Sequence, residues 1–283
     1  MNRSYAQNIK ISILEKIDKF ISEESKEFKI SKNKYLAKIF TSFDFEYVAT
    51  EQTRTKIYKE KTKSIQFGVP KNARGKYEQL EKEKIVIADY CREMLDKFLS
   101  LSKIKREQII MHEKLEIIKE AIENGMRLNF SSMHRTDMVE PYKLEESLEY
   151  NKNYVICYKE SIDAVVTYSL QNIIKITKRD DEQEYYYTYI DEIENNFDPF
   201  LSYNNIIKIR ITTKGEKNFQ MKKYLCPKVL KKNDDIWELE CTPFKALLYF
   251  AEFYDEVEIL EPKALRDNLI KKINKMHELY NKK

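Results

Sequence analysis

Two short stretches place hydrogen-bonding side chains at every second position. In NIKISI (8–13), Asn8, Lys10 and Ser12 alternate with Ile9, Ile11 and Ile13; in SIQFGV (64–69), Ser64, Gln66 and Gly68 alternate with Ile65, Phe67 and Val69. A period of two puts the polar set on one face of a strand and the apolar set on the other. Amide, ammonium and hydroxyl groups projecting from a ribbon can pair with base edges, lysine with guanine and asparagine or glutamine with adenine. Gly68 has no side chain with which to read a base. The same polar set would also serve as the solvated edge of an assembly domain.

Both strands belong to a unit that occurs twice, 56 positions apart. Each strand runs into a charged helical pattern, roughly 14–27 and 71–83. A short apolar link follows, FKIS or IVIAD, and then a second helix, SKNKYLAKIFTSF or ADYCREMLDKFLSL. Ser31 is the expected N-cap of the first of these. Tyr35, Leu36, Ile39 and Phe43 share one helix face, as do Tyr90, Met94, Phe98 and Leu101. Ser31, Lys32 and Asn33 would offer free N–H groups and a cation to a phosphate. The second copy has Ala88-Asp89 there, and an aspartate repels phosphate.

A strand and two helices cannot close a core alone, because the strand's backbone groups lack partners and the apolar faces stay wet. Two copies remove both problems, pairing the strands and interlocking four helices beneath them. Over residues 5–102 this order resembles the ribbon-helix-helix fold, with both halves in one chain. The resemblance implies a two-stranded ribbon that enters a major groove.

Composition sets limits. The chain has 283 residues, 42% hydrophobic and 35% charged, which suits a globular protein of two or three domains. No apolar run approaches the ~18 residues of a spanning helix, and MNRSYAQNIK lacks the apolar core of a secretory signal. The four cysteines, at 91, 157, 226 and 241, form no CxxC pair, so reduced thiols and a cytoplasmic setting are expected. Residues 1–110 hold 24 Lys and Arg against 16 Asp and Glu; the remainder holds 27 against 31. A basic head on an acidic body suggests a polyanion partner. Four glycines leave no phosphate loop, and three distant histidines make no metal motif. No nucleophile elbow is present. We therefore expect no catalytic residue, cofactor or metal.

After a linker helix at 103–125, five short strands are expected within 126–181: about 126–131, 137–144, 153–159, 164–168 and 172–177. MRLNF, VEP and NYVICY stand in the order of a WYL domain. Tyr154 and Val155 match that family's Tyr and Leu, and Asn153 replaces its Trp. The resemblance implies a small Sm/SH3-like barrel that binds a nucleotide or single-stranded effector. Arginines of the family's pocket are replaced in YSLQNI by Ser169 and Asn172, leaving Arg127 and Arg135, with Lys143, Lys159 and Lys175, as substitutes. Tyr154 and Tyr158 share a strand face and would either stack on a base or fill the core.

Residues 182–204 read as an acidic, aromatic linker, with four tyrosines in 185–189. Residues 205–283 read β-α-β-β-α-β-α and resemble the ferredoxin-like extension that follows WYL domains. Val257, Ile259, Pro262, Leu265 and Arg266 carry the likeness. Its usual role implies contact with a second copy, hence a homodimer.

The expected class is thus α+β and multidomain: a tandem ribbon-helix-helix, a small barrel and a ferredoxin-like module. Two functions fit. One is a ligand-responsive transcriptional regulator that reads duplex DNA through the ribbon. The other follows from resemblance to WYL accessory proteins, which bind single-stranded RNA and stimulate an RNA-guided CRISPR nuclease. A homodimeric scaffold is the blander third. None involves a membrane.

Overall fold

A computed structural model describes residues 5–47, 61–133, 135–183, 197–222 and 225–281. The tyrosine run at 185–189 lies outside them. The chain divides into two compact units, 1–186 and 187–283, and its class is mixed α+β.

The first unit begins with β1 (Tyr5–Leu14) and β2 (Thr62–Pro70), an antiparallel pair separated by almost fifty residues of chain. Asn8 stands opposite Gly68, Lys10 opposite Gln66, and Ser12 opposite Ser64. The intervening apolar residues face inward: Ile9, Ile11, Ile13, Ile65, Phe67 and Val69 are all buried.

Beneath the ribbon lie α1 (Glu15–Glu27), α2 (Lys32–Ser42), α3 (Arg74–Lys82) and α4 (Ile87–Ser100). The Ser31 hydroxyl accepts from Lys34 N–H at 3.3 Å and so starts α2. Aromatic side chains join the two copies. Phe40 packs on Phe67 and on Tyr90, with centroids 6.1 and 6.3 Å apart, and Tyr35 meets Phe98 edge-on at 6.0 Å.

The expected linker helix is two helices, α5 (Lys103–Ile110) and α6 (His112–Glu123). Met111 breaks the helix, at φ −102° and ψ 14°. The break lets α5 pack on β5 while α6 packs on β3, β4 and β7. Those strands are β3 (Met126–Ser131), β4 (Thr136–Ser147), β5 (Lys152–Lys159), β6 (Ala164–Ser169) and β7 (Lys175–Glu182). Their order is β6-β5-β4-β3-β7, antiparallel throughout. Register shifts at Pro141/Lys143 and Met126/Leu128 bend the sheet. Among the described residues its edge strands β6 and β7 do not pair with each other. One apolar core runs without interruption from Ile9 in the ribbon to Ile173 beside β7.

Two polar clasps sit inside that core, on neighbouring residues of α5. Arg106 makes a bidentate contact with Glu24 of α1, Nη2 to Oε1 at 2.7 Å and Nε to Oε2 at 3.1 Å. The Tyr35 hydroxyl also donates to Glu24, Arg106 donates to the Leu101 carbonyl, and its guanidinium lies 5.2 Å from the Phe20 ring. Glu107, fully buried, turns the other way to Asn153 of β5.

In the second unit, β8 (Ile206–Ile211), β9 (Lys228–Asn233), β10 (Ile236–Glu240) and β11 (Val257–Glu261) form an antiparallel sheet of order β11-β8-β10-β9. Helices α7 (Thr213–Met221) and α8 (Pro243–Phe250) begin at hydroxyl caps, Thr212 and Thr242. The sheet packs on an aromatic core in which Phe219 meets Trp237 and Tyr249 edge-on. At Gly215 a Cβ would lie 2.7 Å from the Glu256 carbonyl, so α7 approaches that backbone as closely as glycine permits. The last described element is α9 (Lys263–Asn281), in which Leu265 is the one buried residue. Among the described residues no helix is long and apolar enough to cross a membrane.

Removing one member of a buried pair leaves the other charge without compensation. Arg106→Met is therefore expected to destabilise the first unit by about 3–5 kcal/mol. The double variant Glu24→Met/Arg106→Met should recover most of that loss. Urea denaturation followed by circular dichroism measures both.

Candidate nucleic-acid interface

The ribbon face turned away from the core is polar. Asn8, Lys10, Ser12, Ser64 and Gln66 are all exposed. Opposed as they are in the ladder, they form a grid two strands wide, with ~7 Å between successive residues along a strand and ~5 Å across it. Gly68 is buried and adds only backbone. The grid offers an ammonium, two carboxamides and two hydroxyls on a surface narrow enough for a major groove. Alternation in the sequence is enough to build this face, because a half-buried strand must turn its apolar set inward.

The residues expected to meet a phosphate lie at the start of α2. Ser31 uses its hydroxyl to cap Lys34 N–H. Lys32 pairs with Asp18 of α1, a nearly buried carboxylate that also takes Lys63 of β2 at 2.8 Å. Burial, and then Lys63 nearby, pushes the Lys32 ammonium below its ordinary pKa. Asn33 is exposed. Asp18 thus ties the first residue of α2 to the end of the ribbon.

The expected effector residues fall into separate groups: Tyr154 with Ser169, and Arg135 with Lys159 at Asp137. Arg127 is buried: Nε donates to Glu140 Oε1 at 2.9 Å, and Nη1 faces Asp181 at 3.7 Å and Glu160 at 3.9 Å. Tyr142 donates to the other oxygen of Glu140. Arg135, largely exposed, pairs at 2.8 Å with Asp137, which also takes Lys159 Nζ at 2.6 Å and the Tyr168 hydroxyl at 3.0 Å. Tyr158 is buried and donates to Asp163 at 2.8 Å. Tyr154 is half-buried opposite Ser169 in the β5–β6 ladder. Asn172 is exposed and accepts from Lys29 at 3.5 Å. In the second unit, Arg266 shares Glu258 with Arg210, each at 2.6 Å.

A cavity of about 430 Å³ lies elsewhere in the first unit, between α5, α6 and β4, where Lys105, His112, Lys119, Leu115, Leu144 and Glu146 line it. Asn153 stands on its wall. This residue, where the resembled family has tryptophan, donates through Nδ2 to Glu107 at 2.6 Å and to the Ile104 carbonyl at 3.1 Å. Its Oδ1 accepts from Gln108 at 2.8 Å. Sequence reasoning missed this clasp. The one signal was an asparagine where the resembled family has tryptophan, and nothing in the sequence names its partner on α5.

No protein-family model matches the chain, and no curated protein matches it. Among solved structures it is similar to a CRISPR Cas-related protein, with a TM-score of 0.66 at 14% identity. That likeness covers 98% of this chain and 94% of the other, and it is one of fold. A partial likeness, TM-score 0.30 and 16% identity, joins 56% of this chain to 25% of the proteasome accessory factor B/C of Arthrobacter aurescens.

Burial raises the Glu107 carboxyl pKa, against the lowering effect of its bonds from Asn153. The folded chain therefore keeps a proton that the unfolded chain releases at ordinary carboxylate pH. Stability falls as pH rises from that ordinary value through the raised one. Glu107→Gln, whose amide oxygen can still accept from Asn153, is expected to flatten this fall. Thermal midpoints measured across that pH window check it.

Proposed function

We propose that the chain is a nucleic-acid-binding regulator, without chemistry of its own, that reads duplex DNA through the β1–β2 ribbon. The observation that carries this reading is the exposed grid of Asn8, Lys10, Ser12, Ser64 and Gln66, held in register by the antiparallel ladder. The excess of basic residues in 1–110 supports it. In this reading the ribbon and its four helices act as a ribbon-helix-helix head. The five-stranded sheet acts as a WYL-type, Sm-like sensor of a nucleotide or oligonucleotide. The second unit, whose antiparallel strand order in sequence terms is 4-1-3-2, acts as a ferredoxin-like module that contacts a second copy. Effector binding at the sheet would shift the head between competent and incompetent arrangements.

A second reading has its own support, the whole-chain likeness in fold to a CRISPR Cas-related protein. Here the chain is an accessory protein that binds single-stranded RNA and stimulates an RNA-guided nuclease. Of the two tyrosines that would stack on bases, Tyr158 is buried and bonded to Asp163, so Tyr154 would carry that contact.

Anisotropy titrations with labelled duplex DNA and single-stranded RNA separate the two. The ribbon reading expects tighter binding to duplex, and expects Lys10→Ala/Gln66→Ala to abolish discrimination between sequences, a loss of about 1–3 kcal/mol per base contact. Single-strand binding that survives this double variant and collapses in Tyr154→Ala favours the accessory reading. If neither polymer binds at physiological salt, both readings fail.

A further inference from the structure

Four lysines gather where α2 comes close to α6. Lys34 and Lys38 lie one turn apart on α2, and Lys29 sits in the turn before it. Lys114 comes from α6; it is half-buried, and its ammonium donates to the Ile173 carbonyl beside the five-stranded sheet. Lys29 reaches Asn172 in the same short segment. Lys38 pairs at 2.9 Å with Glu113, which is exposed. Lys34 makes no ion pair among the described residues. Contacts to neighbouring residues bring the four together: Glu113, which holds Lys38, precedes Lys114, and Asn172, which holds Lys29, precedes Ile173. Burial first, and then Lys38, Lys34 and Lys29, bring the Lys114 pKa down to about 8, with Glu107 opposing.

Cations held this close raise the free energy of the folded chain unless an anion joins them. Against these four cations stand the carboxylates of Glu113 and Glu107, which leaves an excess of positive charge. The row also continues towards the ribbon, since Lys32 and Lys63 meet at Asp18.

We propose that Lys29, Lys34, Lys38 and Lys114 form a phosphate track for the backbone of a nucleic acid whose bases meet the ribbon. This rests on the reading of the ribbon as a nucleic-acid contact and adds a site that touches no base. The Ser31 hydroxyl and the Lys32 ammonium are already engaged within the chain. Backbone contact therefore moves along α2 and across to α6. A polymer on this track touches both the ribbon half and the edge of the five-stranded sheet at Asn172. Its contribution is sequence-independent and falls with salt.

The test is an anisotropy titration of the full chain with labelled duplex DNA and single-stranded RNA, at salt from about 50 to 200 mM. Lys29→Gln/Lys34→Gln/Lys38→Gln should weaken binding at least about tenfold and reduce the slope of log K against log salt by about two to three. The ratio between preferred and scrambled sequences should stay as in the parent. Lys34→Gln alone, at an exposed position, should reduce the slope by about 0.9. A charge-matched control, Lys231→Gln/Lys271→Gln/Lys275→Gln, should leave the slope unchanged. The track is overturned if the seam variant keeps the parent slope, or if the control loses as much. It is wrong by itself if Lys10→Ala/Gln66→Ala erases sequence preference while the seam variant binds like the parent. If the parent binds neither polymer, the ribbon reading fails and takes the track with it.

Discussion

A strand cannot stand alone in water, and this constraint organises the first unit. The backbone groups of β1 find their partners on β2, across a long stretch of intervening chain. Once paired, the two strands have a single acceptable register. A slip of one residue would turn Ile9, Ile11 and Ile13 outward and bury Lys10. The polar grid and the apolar floor are therefore two sides of one pairing. Phe67, from the second strand, meets Phe40 of α2, so the ribbon also fixes how the helices of the two copies interlock.

The second organising feature is α5. Arg106 and Glu107 are adjacent, so on a helix they point about 100° apart. One reaches Glu24 beneath the ribbon, and the other reaches Asn153 in the five-stranded sheet. Each clasp is buried, and each would leave an unsatisfied group if broken. Any rearrangement of the sheet relative to the ribbon must carry α5 with it or break a clasp. In the proposed function, α5 is the element that would couple an effector at the sheet to a polymer on the ribbon. The lysine seam crosses the same boundary from the outside, through Lys38 with Glu113 and Lys29 with Asn172.

Much of the architecture was legible in the sequence because it follows from local periods. Alternation marked both ribbon strands and the faces they turn. Helical spacing of Tyr35, Leu36 and Ile39 marked the buried face of α2. Four of the five strands of the middle sheet fell close to their positions. The last begins at Lys175 rather than about 172, because Leu170–Asn172 form a short 3-10 turn. The break at Met111 was not legible, since 103–125 reads as one helix and only packing on different strands divides it.

What the tertiary structure alone decided is which distant side chains meet. Arg127 was a candidate for binding an anion; the fold instead surrounds it with Glu140, Glu160 and Asp181. Arg106 finds Glu24 across 82 positions, Lys38 finds Glu113 across 75, and Lys29 finds Asn172 across 143. A sequence period reports which way a side chain points relative to its own element, because that is set by backbone geometry. The charge it meets depends on how elements pack, and in this chain that packing is set by apolar contacts that carry no information about charge.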